Sequence, residues 1–320
     1  MASPEPKQVV FLVGATGNTG SSIAKALAQR PEKFDVKALV RPSSAHKNIV
    51  QELKSLPNIE VILGDIVEDD QKTLEVLLKV HNVDTVIVTT IPFQEDQQHN
   101  LFRAAKNAGV KRVVPSDFGP SAPAGVMKYH DTKLQTRSFL IDNSIPHTFI
   151  QVGWWADAMF PYPHSIDLGH FGVLGGKQFY GPGDVKTAHT AKERIGDFVA
   201  RIISDPRTLN ETVQTWDGEA TLGESWALAS KITGEDFDDY TRLSAEEIEA
   251  RIATSEGFDT VVYEYFRSMY IRGDNTVEKA VALGALDARA LYPDYVALSL
   301  TEVAEELYSD YSKIGYRRLD

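Results

Sequence analysis

The sequence predicts an α/β protein: a doubly wound parallel sheet with helices on both faces and a smaller C-terminal substrate lobe. Three observations predict it. Six apolar, β-rich runs alternate with helical patterns along the first half of the chain. A glycine-rich turn joins the first run to the first helical pattern. After Gly153 the texture changes to aromatic residues mixed with Gly and Pro.

The strand-like runs cover residues 8–13, 35–40, 59–63, 84–88, 112–114 and 147–152. Helical patterns occupy 19–29, 73–80, 94–107 and 128–143. The run Val9-Val10-Phe11-Leu12-Val13 is continuously apolar, as a strand covered on both faces must be. Residues 153–187 carry Trp154, Trp155, Phe160, Tyr162, Phe171, Phe179 and Tyr180. They read either as loops around a pocket or as a second core where element ends meet. Further helices are expected over 222–232, 245–253 and 301–311, the second opened by the capping box Ser244-x-x-Glu247. No repeat, low-complexity tract or linker interrupts the chain. Residues 1–152 are therefore assigned to a dinucleotide-binding domain and 153–320 to a smaller substrate-binding lobe, alone or interleaved with the first.

Composition excludes several functions. The chain has 320 residues, 42% hydrophobic and 24% charged, with a formal net charge of −12. A nucleic-acid backbone would be repelled on average, and the only adjacent basic pairs are Lys111-Arg112 and Arg317-Arg318, so no nucleic-acid partner is expected. There is no cysteine, which removes disulfides, thiolate catalysis and cysteine-ligated zinc. The eight histidines form no metal-binding spacing, so no metal is expected. No apolar run approaches the ~20 residues of a membrane span, and the start of the chain lacks a secretory pattern. The expectation is a cytoplasmic protein without a membrane partner.

Gly14-Ala-Thr-Gly17-Asn-Thr-Gly20 follows the first strand and opens a helix. Glycines there permit a tight turn and close approach of backbone to a pyrophosphate, while the helix N-terminus offers free N–H groups. This is the arrangement of a Rossmann-type cofactor site, and Thr16, Asn18 and Thr19 are assigned to it with the three glycines. The second strand ends Val40-Arg41-Pro42. An NAD site usually has a carboxylate there, whereas Arg41, with Lys47 adding charge, suits the 2′-phosphate of NADPH. Thr90, Gln94, Ser116 and Lys133 complete the expected cofactor contacts.

Tyr129 and Lys133 lie four residues apart, on one helical face. An ammonium beside a phenol favours proton transfer, so both are candidate catalytic residues, with Ser116 as a donor to a substrate oxygen. Phe118, Trp154, Trp155, Phe160 and His164 are assigned to the substrate pocket. For His164, His170 and His189 an ordinary loop or surface position is the competing reading.

These residues resemble the isoflavone reductase-like and phenylcoumaran benzylic ether reductase-like group of the NmrA-like atypical short-chain dehydrogenases. The resemblance is carried by the glycine loop, Val40-Arg41-Pro42, Gln94 before Lys111-Arg112, Pro115-Ser116-Asp117-Phe118-Gly119 and Lys133-x-x-x-Arg137. It continues through Asp205-Pro206-Arg207-Thr208-Leu209-Asn210, Gly273-Asp274 and Leu291-Tyr292-Pro293-Asp294. It implies NADPH, Lys133 as the catalytic lysine, a small aromatic or phenolic substrate and a place in specialised metabolism. Two positions depart from the family's plant members: Tyr129, and the bulky Trp154-Trp155 pair. The expected reaction is reduction of a ketone, an enone or a benzylic ether by way of a quinone methide. A non-catalytic NADP(H)-sensing regulator and a non-redox enzyme on the same fold are the alternatives. A homodimer is compatible with either.

Overall fold

The computed structural model describes residues 6–90, 97–166 and 176–310. The first half runs β1 (Gln8–Val13), α1 (Asn18–Ala28), β2 (Phe34–Val40), α2 (Asn48–Ser55), β3 (Ile59–Leu63), α3 (Gln71–Val80), β4 (Thr85–Val88), α4 (Gln98–Ala108), β5 (Arg112–Val114), α5 (Lys128–Asp142) and β6 (Thr148–Gln151). The second half begins with β7 (Trp154–Trp155), β8 (Gln178–Tyr180), β9 (Lys186–Thr190), α6 (Lys192–Ser204), β10 (Glu211–Gln214) and β11 (Gly218–Thr221). It continues with α7 (Leu222–Thr233), β12 (Thr241–Leu243), α8 (Ala245–Thr254), α9 (Gly257–Phe266), α10 (Val277–Ala282), β13 (Leu286–Asp287), α11 (Ala288–Leu291) and α12 (Leu300–Ser309).

The main sheet is parallel, in the order β3-β2-β1-β4-β5. A parallel bridge between Val113 and His147, where Val113 N–H donates to Pro146 at 2.8 Å, ties β5 to β6. From β6 the parallel pairing continues to β10 and β13. The strand order reverses direction between β1 and β4, which is where open sheets of this kind bind ligands.

Alternation along the strands supplies both cores. Val10 and Leu12 face α1 and α6 with Ile23, Leu27, Phe198 and Ile202. Phe11 and Val13 face the opposite layer with Leu74, Leu78, Leu101, Phe102 and Leu140. Helix α6 lies directly on α1: Gly196 N–H donates to Ser22 Oγ at 3.0 Å, and a Cβ on Gly196 would sit 2.2 Å from the Ser22 carbonyl oxygen. Arg112 fastens β5 to β6 and to the end of α6. Its buried guanidinium donates to Thr148 Oγ1, Thr208 Oγ1 and the carbonyls of Ile202 and Asp205, at 2.7–3.2 Å.

A third core belongs to the C-terminal elements and is rich in rings. Tyr180 stacks on Phe266 at 3.9 Å, and Phe179 meets Trp226 edge-on at 5.0 Å. Phe160, Tyr162, Phe179 and Tyr180 are buried here, so for them the second-core reading of 153–187 is correct. That segment also contains β7, β8 and the start of β9 rather than loops alone. Helices α2, α6, α9, α10 and α11 escaped the sequence reading; α2 buries only Val50 and Leu53, too few apolar positions to give a helical period. No described helix is long and apolar enough to cross a membrane. Gln94, His170 and Phe171 lie outside the described residues.

Candidate active site

The carboxyl ends of β1, β2, β4 and β5 lie side by side, because Val13 is in register with Leu39 and Val88, and Ile87 with Val114. The segments that leave the sheet there carry the expected site residues. Gly14 has φ +82°, and a Cβ on it would strike the Thr89 carbonyl oxygen at 2.4 Å. A Cβ on Gly20 would lie 2.1 Å from the Gly14 carbonyl oxygen. Both glycines are demanded by the packing of the chain on itself. Gly17 is different: its Cβ would meet only Gly14 O, at 3.4 Å. The protein leaves that space open.

Gly17 is also the N-cap of α1, which has no side-chain cap and no acidic residue in its first turn. Free N–H groups and a positive helix end therefore face the loop of half-buried Thr16, Asn18 and Thr19, an arrangement suited to phosphate. Arg41 leaves β2 beside this loop, exposed, and makes no ion pair with any described residue. Lys47, half-buried, is the N-cap of α2 one short turn further on.

Across the loop, Ser116 Oγ donates to the Thr90 carbonyl at 3.1 Å, so its hydroxyl proton is already committed. Ser116 N–H donates to Oε1 of Gln98 at 3.0 Å. Gln98 is fully buried, and its Nε2 has no partner among the described residues; neither has the buried Thr90 Oγ1. Two polar atoms without partners among the described residues, at the sheet's switch point and beside an open phosphate cradle, fit a dinucleotide whose polar groups would satisfy them. Gln98 was not singled out in the sequence, where it reads as one more polar residue of α4.

Helix α5 brings up Lys133. Its buried ammonium donates to the Asp117 carbonyl at 3.0 Å and lies 3.1 Å from where a Cβ of Gly119 would be. The side chain of Asp117 turns the other way, into an ion pair with Arg137 at 2.6 Å. Burial pushes the Asp117 carboxyl up, but Arg137 and, more weakly, Lys133 hold it below the usual range. Arg137, one turn after Lys133, thus fixes the 115–119 segment against which the ammonium rests. Lys133 and Tyr129, expected as a pair, do lie together. The ammonium sits over the Tyr129 ring, 5.0 Å from its centroid.

Aromatic groups continue from there. Tyr129 lies 6.4 Å from Tyr265 of α9, and Tyr265 lies 6.0 Å from Trp154. The Trp154 indole N–H is buried without a partner among the described residues. Phe118, half-buried, is at the lysine's end of this arc but packs against the sheet core. Trp155 also packs against the sheet core, with Lys192 over its ring at 5.9 Å. Phe160 is a correction: it is fully buried, edge-on to Tyr308, because the third core needs its ring. His164 is another. It sits half-exposed between Glu235 (2.6 Å) and Asp239 (3.1 Å), which raise its pKa, and stacks on Phe237. His189 is buried, and burial pushes it down to about 4. No group of side chains suited to a metal ion occurs among the described residues.

The signature of the NmrA-like family matches residues 6–315. The chain belongs to that family. An Asnovolin J 5′,6′-dehydrogenase of Aspergillus novofumigatus is 31% identical over 315 residues, covering 93% of this chain and 94% of that protein. A Ginkgo biloba phenylcoumaran benzylic ether reductase is 26% identical, over 90% of this chain and 95% of its own. Among solved structures, the leucoanthocyanidin reductase–NADPH binary complex from Vitis vinifera has a TM-score of 0.80 at 23% identity, over 94% of this chain and 100% of that one. These likenesses span both halves of the chain, as the motifs from Gly14 to Asp294 imply.

Proposed function

We propose that this NmrA-like chain is an NADPH-dependent oxidoreductase that reduces a small aromatic or phenolic molecule at a carbonyl, an enone or a benzylic ether. One observation carries the reading. The buried Lys133 ammonium and the open glycine cradle share one edge of the sheet, with the aromatic arc of Tyr129, Tyr265 and Trp154 beside them. The names of the relatives, a dehydrogenase and a benzylic ether reductase, support the reaction class. The backbone of 14–20 and the N-terminus of α1 would hold the pyrophosphate, Arg41 and Lys47 the 2′-phosphate, and Thr90, Gln98 and Ser116 the nicotinamide end. When bound, NADPH supplies the hydride.

The chain's own part is to orient the substrate and manage the proton. The aromatic arc presents ring faces to a flat substrate. Lys133 donates a proton to the oxygen on which negative charge develops, and its burial strengthens that interaction. Asp117 and Gly119 hold the ammonium in position.

The test follows NADPH absorbance with three aromatic probes: an aromatic ketone, an aryl enone and a phenylcoumaran benzylic ether. At least one should be turned over, and Lys133→Met should lower kcat by about 10²–10⁴-fold while NADPH affinity stays within a few fold. Full activity in Lys133→Met, or no NADPH consumed with any probe, contradicts the proposal.

A further inference from the structure

Gly119 has a second polar neighbour besides Lys133, and it comes from the C-terminal lobe. A Cβ on Gly119 would lie 3.1 Å from Lys133 Nζ and 3.8 Å from the hydroxyl oxygen of Tyr265. Ammonium and phenol thus converge on the same patch of backbone, 119, which glycine keeps clear. Tyr265 is on α9, more than a hundred residues after the lysine, and no local spacing relates the two.

The position of Tyr265 is firmly held. Its ring is buried between Tyr129 (6.4 Å) and Trp154 (6.0 Å). On either side in sequence, Glu264 accepts the Lys128 N–H at 2.7 Å, and Arg267 donates to the Val126 carbonyl. Both contacts clamp α9 to the start of α5, the helix that bears Lys133. The phenol is thereby kept in register with the ammonium by two contacts outside the site itself.

We infer that Tyr265 is a substrate-binding residue whose hydroxyl, together with the Lys133 ammonium, holds one oxygen atom of the substrate over Gly119. This rests on the proposed reductase site and names its second donor. Two donors on one oxygen favour substrates with a carbonyl or phenolic oxygen attached to a ring, since the ring then falls on the Trp154 side of the arc. They also stabilise that oxygen as negative charge grows on it. Tyr129 keeps its place under the ammonium as a ring.

The experiment uses 4-nitrophenol, whose coloured anion reports its own ionisation, titrated into the full-length protein with and without NADP⁺. An oxygen held between an ammonium and a hydroxyl is stabilised as the anion, so binding should increase the anion colour at fixed pH. Tyr265→Phe should weaken that binding about tenfold or more, the consequence of losing one hydrogen bond to a charged group. The ring packing is retained, so the fold and the NADP⁺ affinity should be kept. Tyr129→Phe should bind the probe within a few fold of the unaltered protein. Equal binding by Tyr265→Phe and the unaltered protein overturns the inference, and if Lys133→Met still loses binding, the lysine-centred reading survives. Saturable binding that neither variant weakens overturns both. Absence of any binding by the unaltered protein also overturns the inference, while NADP⁺ binding in the same titrations judges the cofactor site separately.

Discussion

Lys133 and Tyr129 share a helical face, as their spacing requires, and the ammonium lies over the tyrosine ring, 5.0 Å from its centroid. A cation over an aromatic face is stabilised by about 0.5–2 kcal/mol and calls for no hydroxyl. Tyr129→Phe is therefore expected to keep kcat within a few fold, measured with whichever aromatic probe is turned over. A loss of about 10²-fold or more would return the proton to Tyr129. The glycine loop, Arg41 and Lys133 could be proposed from sequence because each is marked by local spacing or by its position after a strand. Tyr265 and Gln98 could not. The roles proposed for them depend on which atoms meet across the fold, and neither sits in a recognisable pattern. His164 and Phe160 show the converse, since proximity in sequence to the tryptophans says nothing about which core or surface a ring joins.

Elements whose ends are satisfied locally could be read directly. The expected Ser244–Glu247 capping box is present, and Thr221–Glu224 and Ser299–Glu302 form two more. Helix α5 was expected from its pattern although its N-cap Met127, like the N-caps of α1, α2, α4, α6 and α9, makes no side-chain cap. Glu264, buried on α9, accepts the Lys128 N–H instead, and its charge also suits the positive end of the helix. No window of sequence around residue 128 contains that signal. Glu264→Ala should cost about 1–2 kcal/mol, seen as a fall of several degrees in Tm. Glu264→Gln keeps an oxygen acceptor and should lose less. Identical melting of Glu264→Ala and the unaltered protein would show that the cap contributes nothing.

At the scale of the molecule, the six strands of the first half were legible because each is an apolar run between turn signals. The return of β10 and β13 to the same sheet was not, for Glu211–Gln214 and Leu286–Asp287 are short and partly polar. With α6 on α1, they make the second half of the chain part of the first half's fold. The packing also sets an acid limit. Burial holds His130 and His189 down at about 4, whereas an unfolded histidine titrates near 6.5. Between those values the unfolded chain binds protons that the native state excludes. Stability is thus full above about pH 6.5 and is lost as pH falls toward about 4, by roughly 2–3 kcal/mol for each histidine. His189→Gln should reduce the drop in Tm between about pH 7 and about pH 4.5. An unchanged drop would mean that His189 is not protonated on unfolding. The central claim is the NADPH site, and calorimetric titration of the unaltered protein with NADPH and NADH, side by side, tests it most directly. Arg41 beside an uncapped helix end predicts that NADPH binds about tenfold or more tightly than NADH. Equal affinity for the two, or binding of neither, would contradict it.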